Sequence, residues 1–153
     1  MRLAAFQPDN PYNLGALIRL SACFGTPLDV IEPCGFPLSE RVLRKTALDY
    51  GARAEIRRHD GWASFAATRA AAPPARLVAL SVRGETPIWS HDFQFDDILL
   101  LGRESKGLPA EILDAADARL CIPMPGGGRS LNVAMAAAVA LGEALRQMST
   151  AGS

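Results

Sequence analysis

The sequence predicts an α/β fold built on a parallel sheet flanked by helices, and three observations carry that reading. Strand and helix signals alternate along most of the chain, and repeated βα units build a parallel sheet. Residues 77–82, with Ser81 the one polar member, and Ile98–Leu101 are continuous rather than alternating apolar runs, the pattern of strands buried on both faces. Glycine-bearing turns follow the predicted strands that end at Ile31, Leu101 and Ile122.

Taken in order, residues 3–6 form a short apolar run that stops at Gln7-Pro8-Asp9-Asn10-Pro11, a strand entering a loop. Over residues 13–24, Leu14, Leu17, Ile18 and Ala22 recur at helical spacing, with Asn13 as a possible cap and Gly25 as the stop. Leu28–Ile31 reads as the second strand, closed by Pro33 and Gly35. Ser39 caps a helix over residues 39–48, and a short strand is expected at 54–56. Asp60 is expected to cap a helix through Ala71, ended by Pro73-Pro74. After the two apolar strands, residues 120–122 give a last short strand. Residues 130–148 then form the longest helix, with Ser130 as its expected cap.

The chain has 153 residues, enough for one domain (1–153) with a substantial core. Sixteen basic and sixteen acidic residues leave a formal net charge of zero. A protein that grips nucleic acid by bulk charge carries a basic excess, so any such grip must come from a local patch or from two chains together. Cys23, Cys34 and Cys121 are odd in number and show no CxxC pair, which points to reduced thiols and no metal site. The start of the chain meets Pro8 too soon for a signal peptide, and the longest apolar stretch, residues 133–141, is about half a membrane span. A cytoplasmic protein without a membrane segment is expected.

Four segments could carry chemistry. Asn13-Leu14-Gly15 with Arg19 opens the first helix, where Asn13 is either a cap or a polar group offered to a substrate. Gly102-Arg103-Glu104-Ser105-Lys106-Gly107-Leu108 follows a buried strand directly, and ligands of parallel sheets gather beyond strand carboxyl ends. Ile122-Pro123-Met124-Pro125-Gly126-Gly127-Gly128-Arg129-Ser130-Leu131-Asn132 leads into a helix start, where free backbone N–H groups can cradle an anion or a cofactor. Arg41, Arg44 and Lys45 share one helical face, and with Arg53, Arg57 and Arg58 they form a basic excess suited to phosphate contacts. His59 and His91 lack an evident Ser or Cys partner, so hydrolysis has little support, and no dinucleotide fingerprint follows the first strand.

In this order the segments resemble the motifs of the SPOUT superfamily of knotted methyltransferases. Asn13-x-Gly15-x-x-x-Arg19 is similar to its first motif and Gly102-x-Glu104-x-x-Gly107-Leu108 to its second. Ile122-Pro123-Met124 with Ser130-Leu131-Asn132 is similar to the third. Pro8, Pro11, Asn13, Ile31-Glu32-Pro33-x-Gly35-Phe36 and Leu48-Asp49-Tyr50 narrow the resemblance to the small bacterial tRNA (cytidine/uridine 2'-O-) methyltransferases that modify the wobble nucleotide of leucine tRNAs. Leu14 stands where that subgroup usually has Thr, and Gly126-Gly127-Gly128 is richer in glycine than usual.

The resemblance implies a deep C-terminal trefoil knot that forms the pocket for S-adenosyl-L-methionine. It implies Leu80, Gly102, Ile122, Ser130 and Leu131 as cofactor-binding positions, and Arg19, Asn13, Glu104, Ser130 and Asn132 as catalytic ones. It further implies a homodimer in which Arg19 faces the partner's cofactor, with Arg41, Arg44 and Lys45 set to meet a tRNA anticodon stem-loop. The competing expectations are a 2'-O-methyltransferase of the same fold acting on another tRNA or rRNA position, and a non-catalytic RNA- or nucleotide-binding module.

Overall fold

The computed structural model describes residues 1–150. Seven strands form a single sheet: β1 (Arg2–Phe6), β2 (Leu28–Ile31), β3 (Ile56–His59), β4 (Leu77–Leu80), β5 (Thr86–Pro87), β6 (Ile98–Leu101) and β7 (Ala118–Cys121). Their order across the sheet is β3-β2-β1-β6-β4-β7-β5, and every pairing is parallel. Five helices connect them: α1 (Pro11–Phe24), α2 (Glu40–Ala47), α3 (Trp62–Ala70), α4 (Ala110–Asp114) and α5 (Val133–Thr150). The later strands do not extend the sheet at its edge. β6 inserts between β1 and β4, and β7 inserts between β4 and β5.

Alternation along the strands divides the core in two. Leu3, Ala5, Leu28, Val30, Val78, Leu99, Leu101 and Leu120 pack with α1 and α5. Ala4, Phe6, Ile31, Leu77, Ala79, Ile98 and Leu100 point the other way, against Phe65 of α3 and Ile112 and Leu113 of α4. Since successive strand side chains face opposite sides, both faces of β4 and β6 are dry, which accounts for the continuous apolar runs. Leu99 and Leu100 are fully buried, each worth about 2 kcal/mol over an exposed position. In α5 the buried side is Ala137, Ala140, Leu141, Ala144 and Met148, the three-and-four spacing of an amphipathic helix.

The buried polar side chains Asp29, His59 and Asp97 are paired. Asp29, on β2, accepts from Arg2 Nε at 2.9 Å and lies 2.7 Å from His59 Nε2. That contact gives buried His59 a structural partner. Asp97 is completely buried, and Arg76 reaches it at 2.7 and 2.8 Å while the Gln94 backbone N–H donates at 2.9 Å.

Several boundaries differ from the sequence expectations. Asn10, not Asn13, caps α1, its Oδ1 accepting from the N–H groups of Tyr12 and Asn13, while Pro11 supplies the preset first helical position. Asn132, not Ser130, caps α5 by accepting from Ala134 N at 3.0 Å and Met135 N at 3.3 Å. Asp60 makes no cap, because Gly61 is the residue before α3. The strand expected at 54–56 lies at Ile56–His59, where its register follows β2, and the one expected at 120–122 lies at Ala118–Cys121. The strand read at 77–82 stops at Leu80. β5 and α4, only two and five residues long, were not anticipated. Ser39 does cap α2, and Gly25 closes α1 in the left-handed conformation with φ 59°.

Gly15 explains one motif position by packing. A Cβ there would sit 2.4 Å from the Thr46 carbonyl oxygen, so the absence of a side chain lets α1 lie directly on α2. Gly15→Ala is expected to destabilise the fold by about 1–3 kcal/mol through overpacking, measured by urea unfolding. An unchanged midpoint would show that this contact relaxes freely.

Candidate functional site

In a parallel sheet the strand carboxyl ends all open on one edge, and the loops there are the ones free to meet a ligand. The loops leaving β4, β6 and β7 converge at that edge with Asn13 of α1 around a cavity of about 490 Å³. The size is that of a small-molecule site. Leu80, Leu101, Leu108, Ile122, Met124 and Leu131 give it apolar walls. Asn13, Glu104, Ser130 and Asn132 bring polar groups, and Arg83, Arg103 and Lys106 bring positive charge.

The loop after β6 owes its shape to two glycines. Arg103 and Gly107 exchange backbone hydrogen bonds of 3.2 and 2.9 Å, closing a tight turn that Gly107 enters at φ 66°. A Cβ on Gly102 would fall 2.6 Å from the Gly107 carbonyl carbon and 2.8 Å from Leu108 N. Both are backbone atoms that cannot move aside cheaply, so a side chain at Gly102 would force the turn open. Arg103 is fixed at the cavity wall by a contact to Gln7 Oε1 and by stacking 5.2 Å from the centre of the Phe6 ring.

Polar contacts then tie the loops together. Asn132 uses its oxygen to cap α5 and its Nδ2 to donate to Asn13 Oδ1 at 2.8 Å. Asn13 and Glu104 both line the cavity. Glu104 Oε2 accepts the Asp9 backbone N–H at 2.9 Å, and the Asp9 carboxylate accepts from Ser105 Oγ. Burial, then hydrogen bonding with Asp9, pushes the Glu104 carboxyl above the ordinary glutamate range. The bond with Glu104, aided by Ser105, holds Asp9 below the ordinary aspartate range. Among the described residues Glu104 Oε1 is buried with no hydrogen-bond partner.

All five cofactor-binding positions named from the sequence line this cavity: Leu80, Gly102, Ile122, Ser130 and Leu131. Four of the five catalytic positions, Asn13, Glu104, Ser130 and Asn132, line it too. Arg19 does not. It is exposed on α1, its guanidinium carbon 4.6 Å above the Tyr50 ring. Arg41, Arg44 and Lys45 are exposed on α2 outside the cavity, with Arg44 near Glu40 at 3.5 Å. The wider basic cluster divides, because Arg58 pairs with Glu32 at 2.8 Å on the β3 side. Sequence reasoning did not single out Asp9, Arg83, Arg103 or Lys106. The signal for the last two was their place between Gly102 and Gly107, and for Asp9 its place in the loop after β1.

No group of three or more His, Cys, Asp or Glu side chains among the described residues is arranged to hold a metal ion. No described helix is long and apolar enough to cross a membrane.

Known proteins match along nearly the whole chain. The pattern of the SpoU rRNA Methylase family matches residues 1–142. A tRNA (cytidine(34)-2'-O)-methyltransferase of Beijerinckia indica is 47% identical over 146 residues, covering 95% of this chain and 91% of that protein. One from Yersinia pestis is 38% identical over 157 residues, covering 100% of this chain and 97% of its own length. Among solved structures, one concerned with 2-OH methylation of C/U34 on tRNA superposes with TM-score 0.91 at 42% identity, covering 97% of this chain and 96% of that one. The SpoU methyltransferase AviRb of Streptomyces viridochromogenes, solved in complex with AdoMet, superposes with TM-score 0.85 at 28% identity, covering 98% of this chain and 61% of that one. With a family pattern running from β1 into α5 and relatives this similar along their full length, the chain belongs to the SpoU rRNA methylase family.

Proposed function

We propose that this protein transfers a methyl group from S-adenosyl-L-methionine to the ribose 2'-hydroxyl of the wobble nucleotide in tRNA, C34 or U34 of leucine tRNAs. The observation that carries the reading is the cavity at the sheet's carboxyl edge, where all five positions expected to hold the cofactor meet. Its apolar walls suit a flat adenine, and its polar and charged lining suits the ribose and amino-acid ends. The curated relatives that match along nearly the whole chain carry the C34 2'-O-methyltransferase name.

When bound, the cofactor supplies an electrophilic methyl on a sulfonium. What remains for the chain is to position the hydroxyl and receive its proton. As the O–CH3 bond forms and the S–CH3 bond breaks, the hydroxyl proton needs an acceptor. Glu104 is the one carboxylate among the described residues lining the cavity, which Asn13 and Asn132, bonded to each other, line as well. Ser130 and Leu131 would hold the cofactor from the loop before α5. Arginine stays protonated at neutral pH, so Arg19 serves by holding the substrate phosphate and orienting the hydroxyl.

Because Arg19 lies outside the cavity of its own chain, it would act on that of a second chain in a homodimer. The adjoining helices α1 and α5 leave apolar side chains exposed, Tyr12 (71% exposed) on α1 and Met135 (62%) and Val139 (44%) one turn apart on α5. An apolar patch of this kind marks an interface. Dimerisation also places two sets of Arg41, Arg44 and Lys45 on one assembly, which supports a grip on the anticodon stem-loop despite zero net charge. The insertion of β6 and β7 between earlier strands supports the deep trefoil knot. Residues 1–153 would then be a single catalytic domain working in the cytoplasm, where tRNA is modified, with no metal required.

Labelled methyl transfer to unmodified leucine tRNA transcripts tests the reading, and the label should vanish when the wobble nucleotide is replaced. Label that persists would move the target to another nucleotide, and its complete absence from every RNA would favour a binding module. Arg19→Ala should lower the methylation rate at least ~100-fold while cofactor affinity, measured by calorimetry, stays within about twofold. Near-normal turnover would remove Arg19 from the reaction.

A further inference from the structure

Gly15 and Arg19 lie four residues apart on α1, so they share one face of that helix. Thr46 and Tyr50 are also four apart, across the end of α2. The two pairs meet in register. At the first contact the missing side chain of Gly15 lets α1 lie on the Thr46 backbone, where a Cβ would fall 2.4 Å from the carbonyl oxygen. At the second, the Arg19 guanidinium carbon stands 4.6 Å from the centre of the Tyr50 ring. The close approach at Gly15 therefore sets the height at which the ring meets the arginine.

The chain between Thr46 and Tyr50 is bent to make that second contact. α2 ends at Ala47, which is buried in the same core as Leu14 and Ile18 of α1. Leu48 then takes φ 51°, in the left-handed region that a Cβ disfavours, and a 3-10 turn over Leu48–Tyr50 follows. Its side chain gains no burial from this, being 63% exposed. Backbone strain persists where surrounding contacts hold it, and it gathers at functional positions. The turn is held from its far end, where the Tyr50 carbonyl accepts from the N–H groups of Arg53 at 3.0 Å and Ala54 at 3.2 Å. The bend delivers a half-buried ring beneath an exposed arginine.

Among the described residues Arg19 makes no salt bridge. The ring is what the structure sets against its charge. A carboxylate in that place would neutralise the guanidinium and occupy its donors. An aromatic face attracts the cation through its quadrupole and leaves the charge in place for a phosphate.

We propose that Tyr50 is a positioning residue for methyl transfer, its ring holding the Arg19 guanidinium in the orientation from which it meets the substrate phosphate. The inference rests on the methyl-transfer reading, and it deepens that reading by naming a residue that acts through Arg19. Tyr50 does not line the cavity. The Leu48-Asp49-Tyr50 segment and the Gly15-to-Arg19 spacing then serve one device, in which helix packing fixes the ring and the ring fixes the arginine.

The ring's electrons test this most cleanly. Phenylalanines with increasing fluorination, placed at Tyr50, keep the shape and drain negative charge from the ring face. Tyr50→Phe should methylate leucine tRNA transcripts within about twofold of wild type, and kcat/KM should fall stepwise with fluorination. Tyr50→Leu should lose about fivefold, with cofactor affinity by calorimetry unchanged. In an Arg19→Ala background Tyr50→Leu should cause no further loss. On the free protein, the NMR signal of the Arg19 Nε–H, assigned by its loss in Arg19→Ala, should shift in Tyr50→Leu and stay in place in Tyr50→Phe. A rate indifferent to fluorination, or an unmoved Arg19 signal in Tyr50→Leu, would overturn the proposal. So would the same fivefold loss in the Arg19→Ala background, which would give the ring a contact of its own with RNA. The Arg19 signal is read without RNA, so a failure of the methyl-transfer reading would show in the rate arms alone.

Discussion

The site depends on polar contacts that join loops far apart in the chain. Asn132 to Asn13 spans 119 residues and Asp9 to Glu104 spans 95. Each loop leaves the carboxyl end of a different strand, so the sheet brings their roots together but does not fix their tips. Side-chain hydrogen bonds do that. Asn132 has two tasks, since the same amide that closes the N-terminus of α5 also reaches Asn13. A change there would loosen the helix start and the cavity wall together. Networks of this kind rigidify a site when every member is satisfied, and Glu104 Oε1 marks the place where this one is still open.

The sheet's construction gives the cavity its dry floor. Leu101, at the end of a strand buried on both faces, leads straight into Gly102 and the tight turn to Gly107. The turn is rigid because backbone lies against backbone at Gly102. The loop 122–132 on the other side has Gly126, Gly127 and Gly128 at its exposed tip. One wall is therefore fixed by packing, and the other contains the residues most free to adjust around a ligand.

Much of this was legible in the sequence. Period and apolar run length located β1, β2, β4, β6 and the long helices, because burial on both faces leaves an unmistakable apolar signature. The three ordered motifs hold eight of the expected catalytic and cofactor positions, seven of which line one cavity, and Leu80, outside the motifs, lines it too. The misplaced features have local physical causes. Asn10 and Asn13 are both competent caps, and Pro11 decides between them by fixing the first helical residue. Ser130 and Asn132 compete in the same way, and only the position of the first helical turn selects Asn132. β5 and α4 are too short to show any period. Asp9 was hidden because its importance arises from Glu104 and Ser105, contacts that no local pattern encodes. Arg19 was found by its motif, but the outward direction of its side chain depends on Tyr50, thirty-one positions later.

A single chain therefore presents a cavity lined by eight of the expected site positions and, outside it, an Arg19 that does not line it. In the proposed homodimer two chains would complete each other's sites, which mixed dimers test most directly. Subunits carrying Arg19→Ala have an intact cavity, and subunits carrying Gly102→Ala have an intact arginine. Methyl transfer to tRNA would be measured for each variant alone and after random subunit exchange. Both homodimers should be nearly inactive, and the mixture should recover about a quarter of wild-type activity, because half the dimers carry one complete site of two. A mixture as inactive as its parents, with subunit exchange verified, would place Arg19 and the cavity in the same chain's chemistry and contradict the shared site.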